Sequence, residues 1–232
     1  MTSAIGDYAV IGDGRTCALV APTGSIDFLC WPRFDSDACL AALLGDERHG
    51  SWRIAPAGYV EETTRRYRGD TMILETVHRT DTGKVRLTDF MPWHAGDSAV
   101  VRIVEGLDGR VPTELVLRLR FGFGQVSPWM QPHKRGVIAE AGADRVVLDC
   151  PVDLTISDGA LAAAFTVVAG DVAAPPSASF TPRSAFPEIA GAVPTRVILR
   201  TDETVRCGRR SLFIDGSASI LPESSVWPST TT

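Results

Sequence analysis

The stretch Thr71–Phe90, TMILETVHRTDTGKVRLTDF, determines the fold class because its apolar and polar residues alternate along most of its length. Alternation with a period of two is typical of a strand that buries one face. The polar segment Asp81–Lys84 interrupts it, and Gly83 can adopt the positive φ that tight hairpin loops need. The stretch therefore predicts two antiparallel strands joined by a hairpin.

The same alternation, broken by turn residues at short intervals, runs through most of the chain before Gly170. Further strands are predicted at Asp7–Ile11, Ser51–Ile54, Val60–Tyr67, Val100–Gly106, Val137–Glu140, Arg145–Cys150 and Leu161–Val168. About a dozen short strands of this kind indicate an all-β protein, built as a large antiparallel β-sandwich.

One short helix is predicted within Asp35–Gly45. Asp35 or Ser36 can cap its first turn, the segment DACLAALL has apolar residues at helical spacing, and Gly45 can end it. A helix of about two turns is marginal on its own, so we expect packing against the sandwich to hold it.

The composition changes after Gly170. Residues 171–232 are rich in Pro, Ser and Ala and show little alternation, although TRVILRTDETVRCGRRSLFIDGSASI, which begins at Thr195, can supply one or two strands. We therefore predict one β-sandwich domain over residues 1–170, followed by a poorly ordered C-terminal tail over residues 171–232.

Charge and hydropathy argue against nucleic-acid and membrane partners. The net charge is −5, and the basic cluster of Arg65, Arg66 and Arg68 falls in a predicted strand, where we expect it on the solvated face. The apolar stretch Leu161–Gly170 is about half the length of a membrane-spanning helix, and the N-terminus lacks the pattern of a secretory signal.

The cysteine and histidine patterns favour neither disulfides nor a metal site. The five cysteines form no C-x-x-C motif and lie mostly among apolar residues, which predicts reduced thiols in a cytoplasmic protein. The four histidines lack metal-ligand spacing. The chain has no phosphate-binding loop, and GFGQVS lacks the third glycine of a dinucleotide fingerprint, so no cofactor is expected.

The candidate site is the loop CWPRFDS, which interrupts a segment otherwise suited to burial. Trp31 and Phe34 offer flat apolar faces, while Arg33 and Asp35 offer directional hydrogen bonds. This mixture suits a pyranose ring, which has C–H faces and hydroxyl edges. The alternative is architectural: the aromatic rings are buried at a domain contact, Arg33 pairs with Asp35 or Asp27, and Asp35 caps the helix.

Two further tryptophans follow prolines, in MPWH and SPWM. Trp93 and Trp129 therefore sit in rigid turns, where each ring either packs on the core or stacks on a saccharide.

Four separate blocks together resemble one family, the trehalase-like N-terminal domain of bacterial glycoside hydrolase family 15. The blocks are IGDYAVIGDGRTCALVAPTGSIDFLCWPRFDSDACLAALLGDERHGSWRIAPAG, RRYRGDTMILET, TDFMPWH and VVRIVEGLDGRVPTELVLRLRFGFGQVSPW. The resemblance covers Ile5–Gly170. It implies a β-sandwich placed ahead of an (α/α)6 toroid that carries the catalytic carboxylates, in a glucoamylase or trehalase that hydrolyses trehalose or another α-glucoside.

The resemblance assigns no catalytic residue to this chain. Hydrolysis with inversion needs two carboxyl groups about 6.5–9.5 Å apart. The available carboxylates include Asp27, Asp35, Asp89 and Glu105, and for Asp89 and Glu105 we expect turn, cap or ion-pair roles.

The sequence after Gly170 departs from the family pattern, since it lacks the length and helical periodicity of a catalytic toroid. Three hypotheses follow: a non-catalytic domain that supports the toroid, a stand-alone carbohydrate-binding module acting through Trp31, Phe34, Trp93 or Trp129, and an inactive chain that is truncated or frame-shifted.

Overall fold

The computed structural model describes residues 3–93, 98–133, 136–170 and 195–201. Within these ranges the chain forms 15 strands. They are β1 Ala9–Gly12, β2 Cys17–Val20, β3 Ser25–Cys30, β4 Ala38–Leu40, β5 Ser51–Pro56, β6 Val60–Tyr67, β7 Leu74–Thr80, β8 Gly83–Phe90, β9 Ala99–Arg118, β10 Trp129–His133, β11 Gly136–Ala141, β12 Asp144–Asp149, β13 Thr155–Ser157, β14 Ala160–Val168 and β15 Thr195–Thr201.

The strands form two antiparallel layers that share the long strand β9. The first layer runs β1-β2-β3-β5-β9-β14-β13, with β4 beside β3, and the second runs β6-β7-β8-β9-β15-β12-β11-β10. The N-terminal half of β9 pairs with β8 and β15, while its C-terminal half pairs with β5 and β14. One apolar cluster takes side chains from both layers, for example Ile11 and Leu115 from the first and Leu87 from the second. The predicted all-β antiparallel sandwich is therefore confirmed.

The predicted hairpin is also confirmed, with a shorter loop than Asp81–Lys84. Thr80 is the Cα partner of Gly83, so only Asp81 and Thr82 connect β7 to β8. Gly83 has φ +152, and a Cβ there would collide with the carbonyl of Asp108 on β9. The glycine thus allows the hairpin end to approach the neighbouring strand.

The helix predicted within Asp35–Gly45 is wrong in its position. Ala38–Leu40 is the short strand β4, followed by a single 3-10 turn over Ala42–Leu44. Cys39 packs into the main core while Ala38 packs into a second cluster, so β4 buries both of its faces. A two-turn helix lying on a sheet would bury only one stripe of its side chains. The need to bury residues on both faces of this segment therefore outweighs its helical spacing of apolar residues.

The short α-helix of the described residues is α1, Phe121–Gly124. Gly122 and Phe123 have φ values of 59 and 56 within it, so the element is a kinked turn at the end of β9. None of the helices in the described part of the chain has the length and hydropathy needed to span a bilayer.

The expectation of a solvated strand face is wrong for Arg65, whereas the side chains of Arg66 and Arg68 are 75% and 40% exposed. Arg65 donates to the carbonyls of Asp7 and Val20 at 2.7 Å each, and so ties β6 to the first layer. Arg66 and Arg68 both bind the carboxylate of Glu75, whose side chain is 5% exposed. The cluster therefore contributes to structure at the edge of the sandwich.

One strand of the sandwich comes from beyond the predicted boundary at Gly170. Thr195–Thr201 forms β15, which pairs with β9 on one side and β12 on the other. Leu199 is fully buried. The sequence allowed for a strand here, and the remainder of the predicted tail lies outside the described residues.

Candidate functional site

The candidate loop leaves β3 at Cys30 and returns as β4. Its backbone is closed by hydrogen bonds from Trp31 N to Asp37 O at 3.3 Å and from Ser36 N to Arg33 O at 3.0 Å, and the Trp31–Pro32 peptide bond is cis. The two hydrogen bonds give the loop a defined shape at the end of the first layer.

A second connection packs beside this loop, the β1–β2 turn Asp13–Thr16. Thr16 Oγ1 donates to Cys30 O at 2.6 Å, and Phe34 N donates to Arg15 O at 3.0 Å. Asp13 Oδ1 accepts from the backbone N–H groups of Arg15 and Thr16, so its carboxylate fixes the turn.

The connection after β8 reaches the same place. Ser98 Oγ donates to Asp13 Oδ2 at 2.7 Å. A Cβ on Gly14, which has φ +85, would lie 2.5 Å from Cζ3 of Trp93, so the indole ring rests directly on the glycine. We call the surface formed by Asp13–Thr16, Pro32–Asp37 and Trp93 the apical surface.

The structure separates the four predicted site residues. Trp31 is 5% exposed and belongs to the main core, where its Nε1 has no hydrogen-bond partner among the described residues. Phe34 is 72% exposed. Arg33 and Asp35 remain at the surface with Phe34, so three of the four residues share the apical surface and Trp31 supports it from below.

Arg33 and Asp35 form a two-point ion pair. Arg33 Nε donates to Asp35 Oδ1 at 2.8 Å, and Nη2 donates to Oδ2 at 3.2 Å. The Arg33 guanidinium holds the pKa of the Asp35 carboxyl below its usual value, and the carboxylate raises the pKa of Arg33. This is the pairing expected from the architectural alternative, although Asp35 caps no helix.

The two tryptophans that follow prolines are largely exposed. Trp93 is 67% exposed and Trp129 is 65% exposed, so neither ring is buried in the core. Phe34 and Trp93 both contact the β1–β2 turn, so the apical surface carries two exposed aromatic residues.

A second group of exposed apolar residues continues from β4 and was missed by sequence reasoning. Arg120 N donates to Cys39 O at 3.0 Å, and a Cβ on Gly124 would lie 2.9 Å from the Cβ of His49, so α1 packs beside β4 and the following turns. Leu44, Phe123 and Val126 are 66%, 44% and 47% exposed. We call these three residues the α1 patch. In the sequence, the feature that could have revealed this patch is the pair of glycines on both sides of Phe123.

The four carboxylates considered for catalysis are each engaged within the domain. Asp27 accepts from Tyr8 and Ser25, Asp35 pairs with Arg33, Asp89 with Arg102, and Glu105 with Arg86. The ion-pair role expected for Asp89 and Glu105 is confirmed.

The sequence model of one family, described as trehalase-like, N-terminal, matches residues 2–176. The chain belongs to the trehalase-like N-terminal domain family. The match covers all three connections that meet at the apical surface, and the α1 patch.

Curated relatives of this trehalase-like domain are named trehalases. The chain is 38% identical to the trehalase of Mycobacterium tuberculosis over 93 residues, which is 39% of this chain and 14% of that protein. It is 28% identical to the trehalase of Thermoplasma volcanium over 137 residues, or 56% of this chain and 22% of that protein. Trehalase 2 of Sulfolobus acidocaldarius is 29% identical over 132 residues, or 57% of this chain and 21% of that protein. The aligned part of the chain thus spans between 14% and 22% of the length of these relatives.

Proposed function

We propose that this trehalase-like domain is the non-catalytic N-terminal part of a trehalose-hydrolysing enzyme of glycoside hydrolase family 15, and that it supports an (α/α)6 catalytic domain. The observation that carries the proposal is the presence of exposed apolar side chains in two places, the apical surface and the α1 patch. Phe34, Trp93 and Leu44 each expose more than half of their surface there. Exposed apolar patches of this kind mark docking sites.

The engaged carboxylates support a non-catalytic role. A general acid needs a carboxyl group that stays protonated near neutral pH, and a general base needs one that is free to bind water. Asp35 is held in its ionised form by Arg33, and Asp89 is fully buried against Arg102. Hydrolysis is therefore assigned to the catalytic domain.

Reconstitution tests the proposal. The M. tuberculosis trehalase would be shortened by the region that aligns with this chain, and glucose release from trehalose would be measured with and without the full chain. We expect no release by the chain alone and a higher rate for the mixture. Release by the chain alone, or a mixture no faster than the shortened trehalase, would contradict the proposal.

Matched variants locate the contact. Phe34→Ala with Trp93→Ala removes both aromatic rings from the apical surface and should abolish the rate increase. Tyr59→Ala removes an aromatic side chain that is 80% exposed and follows the C-terminal end of β5, away from the apical surface. This variant should leave the increase in glucose release intact. Equal loss in both variants would argue against docking through the apical surface.

Sugar binding by the isolated domain is the second candidate function, favoured by two largely exposed aromatic residues, Phe34 and Trp93, that both contact the β1–β2 turn. Trp31 is removed from this hypothesis because its ring is buried. Calorimetric titration with trehalose, maltose and maltotriose tests it. Heat that disappears in Trp93→Ala supports a binding module, and no heat at millimolar sugar leaves docking as the sole role.

We also infer a cytoplasmic location. Cys17, Cys30, Cys39 and Cys150 are all free thiols in the described residues, which fits a reducing compartment.

A further inference from the structure

Cys17 and Cys30 lie opposite each other on neighbouring antiparallel strands. Ala18 and Leu29 are Cα partners in the β2–β3 ladder, and continuing that register by one residue sets Cys17 opposite Cys30. The 2.6 Å bond from Thr16 Oγ1 to Cys30 O shows that the strands are still together there. Opposed residues of an antiparallel pair have Cα atoms about 4.5–5.5 Å apart, which lies within the range of about 4.4–6.8 Å that a disulfide requires.

Both thiols point to the same face of the first layer. Ala18 and Leu29 are fully buried in the main core, and side chains alternate between faces along a strand. Cys17 and Cys30 therefore point away from that core. Cys30 packs in the separate small cluster that contains Ala38, whereas Cys17 is exposed.

The two thiols differ in their surroundings. Burial raises the pKa of the Cys30 thiol, and the nearby Cys17 thiol and Asp37 carboxylate raise it further. An exposed thiol is the one that a dissolved reagent reaches first, and a buried neighbour can then react within the protein. The pair thus has one accessible and one resolving cysteine.

We propose that Cys17 and Cys30 form a reversible redox pair that a low-molecular-weight organic disulfide, RSSR, closes into a protein disulfide. The Cys17 thiolate attacks one sulfur of RSSR, forms a mixed disulfide and releases RS⁻. The Cys30 thiolate then attacks the Cys17 sulfur and releases the second RS⁻. The two RS⁻ take up the two protons that the cysteines lose, so two protein thiols and RSSR become one protein disulfide and two RSH.

The bond would affect the apical surface directly. Cys17 follows the turn Asp13–Thr16, and Cys30 precedes the loop Trp31–Asp37. Oxidation would tie the two connections covalently at the point where they already meet. The redox pair is independent of the proposed function, because it depends only on the β2–β3 register and on the exposure of Cys17.

Peptide mapping of the full chain tests the pair. The chain is incubated with oxidised glutathione in mildly alkaline buffer, its remaining thiols are alkylated, and it is digested with trypsin. Both cysteines fall in the peptide Thr16–Arg33, which has no internal Lys or Arg. Further cleavage before Asp27 separates them, so the two fragments stay joined only by a disulfide. We expect joined fragments in most chains, each pair lacking two hydrogen atoms, and their separation by dithiothreitol.

Two variants provide controls. Cys17→Ser changes an exposed residue and should remove the joined fragments, while Cys150→Ala changes a buried thiol just after β12 and should leave them unchanged. A glutathione adduct on Cys17 without joined fragments would overturn the proposal. Linkage of Cys17 to any cysteine other than Cys30 of the same chain would overturn it as well.

Discussion

Arg102 is fully buried and makes contacts with both layers of the sandwich. It donates from Nε to Asp89 Oδ1 at 2.9 Å, and from Nη1 and Nη2 to the carbonyls of Trp52 and Gly24 at 2.7 and 2.8 Å. Its guanidinium carbon also lies 5.1 Å from the ring centroid of Trp52. The side chain therefore joins β9 to β5 and to the β2–β3 turn.

The Asp89→Asn substitution should lower the free energy of unfolding by about 3–5 kcal/mol, because it leaves a buried guanidinium without its counter-charge. Urea denaturation measures the change. The matched control is Glu105→Gln, which breaks the partly exposed Arg86–Glu105 pair on the same two strands and should cost about 1 kcal/mol or less. Equal losses in the two variants would contradict a special role for the buried pair.

His78 makes the stability of the domain depend on pH. The side chain is 2% exposed, and burial is the main cause that lowers its pKa to about 4. The guanidinium groups of Arg53, Arg102 and Arg65 also lower the pKa, whereas the Asp89 carboxylate raises it. The unfolded chain takes up a proton on His78 at higher pH than the folded protein does. Its contribution to stability is therefore complete above about pH 6.5 and is lost as the pH falls toward 4, by about 3 kcal/mol.

The His78→Gln variant isolates this effect. Free energies of unfolding are measured from neutral pH down to pH 4 for both proteins, and the variant should lose about 3 kcal/mol less over that interval. The comparison uses the change with pH, so a constant cost of the substitution does not affect it. Parallel curves would show that His78 does not control the acid sensitivity.

At the scale of elements, the edge strands β1 and β6 are joined by side chains. Tyr67 Oη accepts from Val10 N at 2.9 Å and donates to Val10 O at 3.0 Å, which satisfies both backbone groups on the open edge of β1. Tyr67→Phe should lower the free energy of unfolding by about 1–2 kcal/mol, since two hydrogen bonds are lost. Amide hydrogen exchange should accelerate at Val10.

Tyr59→Phe is the matched control for the edge contact. Tyr59 is 80% exposed in the β5–β6 turn, and removing its hydroxyl should change neither the stability nor the exchange at Val10. Unchanged exchange in Tyr67→Phe would mean that the edge of β1 is protected by other groups.

The elements that sequence predicts best are those whose pattern is local. The strand Val60–Tyr67 and the hairpin near Gly83 follow from alternation and turn chemistry; the strand has the predicted bounds, and the hairpin forms with a shorter loop than predicted. The segment Asp35–Gly45 fails because Ala38 and Cys39 are buried on opposite faces, a demand set by distant parts of the chain. Helical spacing cannot reveal that demand.

In the candidate site, too, sequence predicts the local features and not those set by distant parts of the chain. The mixture of aromatic and charged residues in CWPRFDS marks this loop as a candidate site. The Arg33–Asp35 ion pair can be predicted because the two residues are only two positions apart. Which aromatic ring faces solvent depends on the turn Asp13–Thr16, which is remote in sequence and packs beside the loop. Period-two patterning stops at strand ends, so it does not distinguish buried Trp31 from exposed Phe34.

For the whole molecule, the decisive feature is that β15 lies inside the second layer and not at its edge. It separates β9 from β12, and its loss would leave the facing edges of both strands without backbone partners. Unpaired strand edges within a sheet favour aggregation and loss of cooperative folding. A chain ending at Gly170 should therefore be far less stable than one ending at Thr201.

Comparing these two shortened chains tests the place of β15 in the domain. Thermal unfolding followed by circular dichroism should give a cooperative transition for the chain ending at Thr201, and a much lower or broadened transition for the chain ending at Gly170. Leu199→Ala in the full chain supplies an independent measure, because truncating a fully buried leucine costs about 2–5 kcal/mol. A Gly170 chain that unfolds at the temperature of the Thr201 chain would show that β9 and β12 do not need β15, and that the sandwich is complete at the boundary which composition suggested.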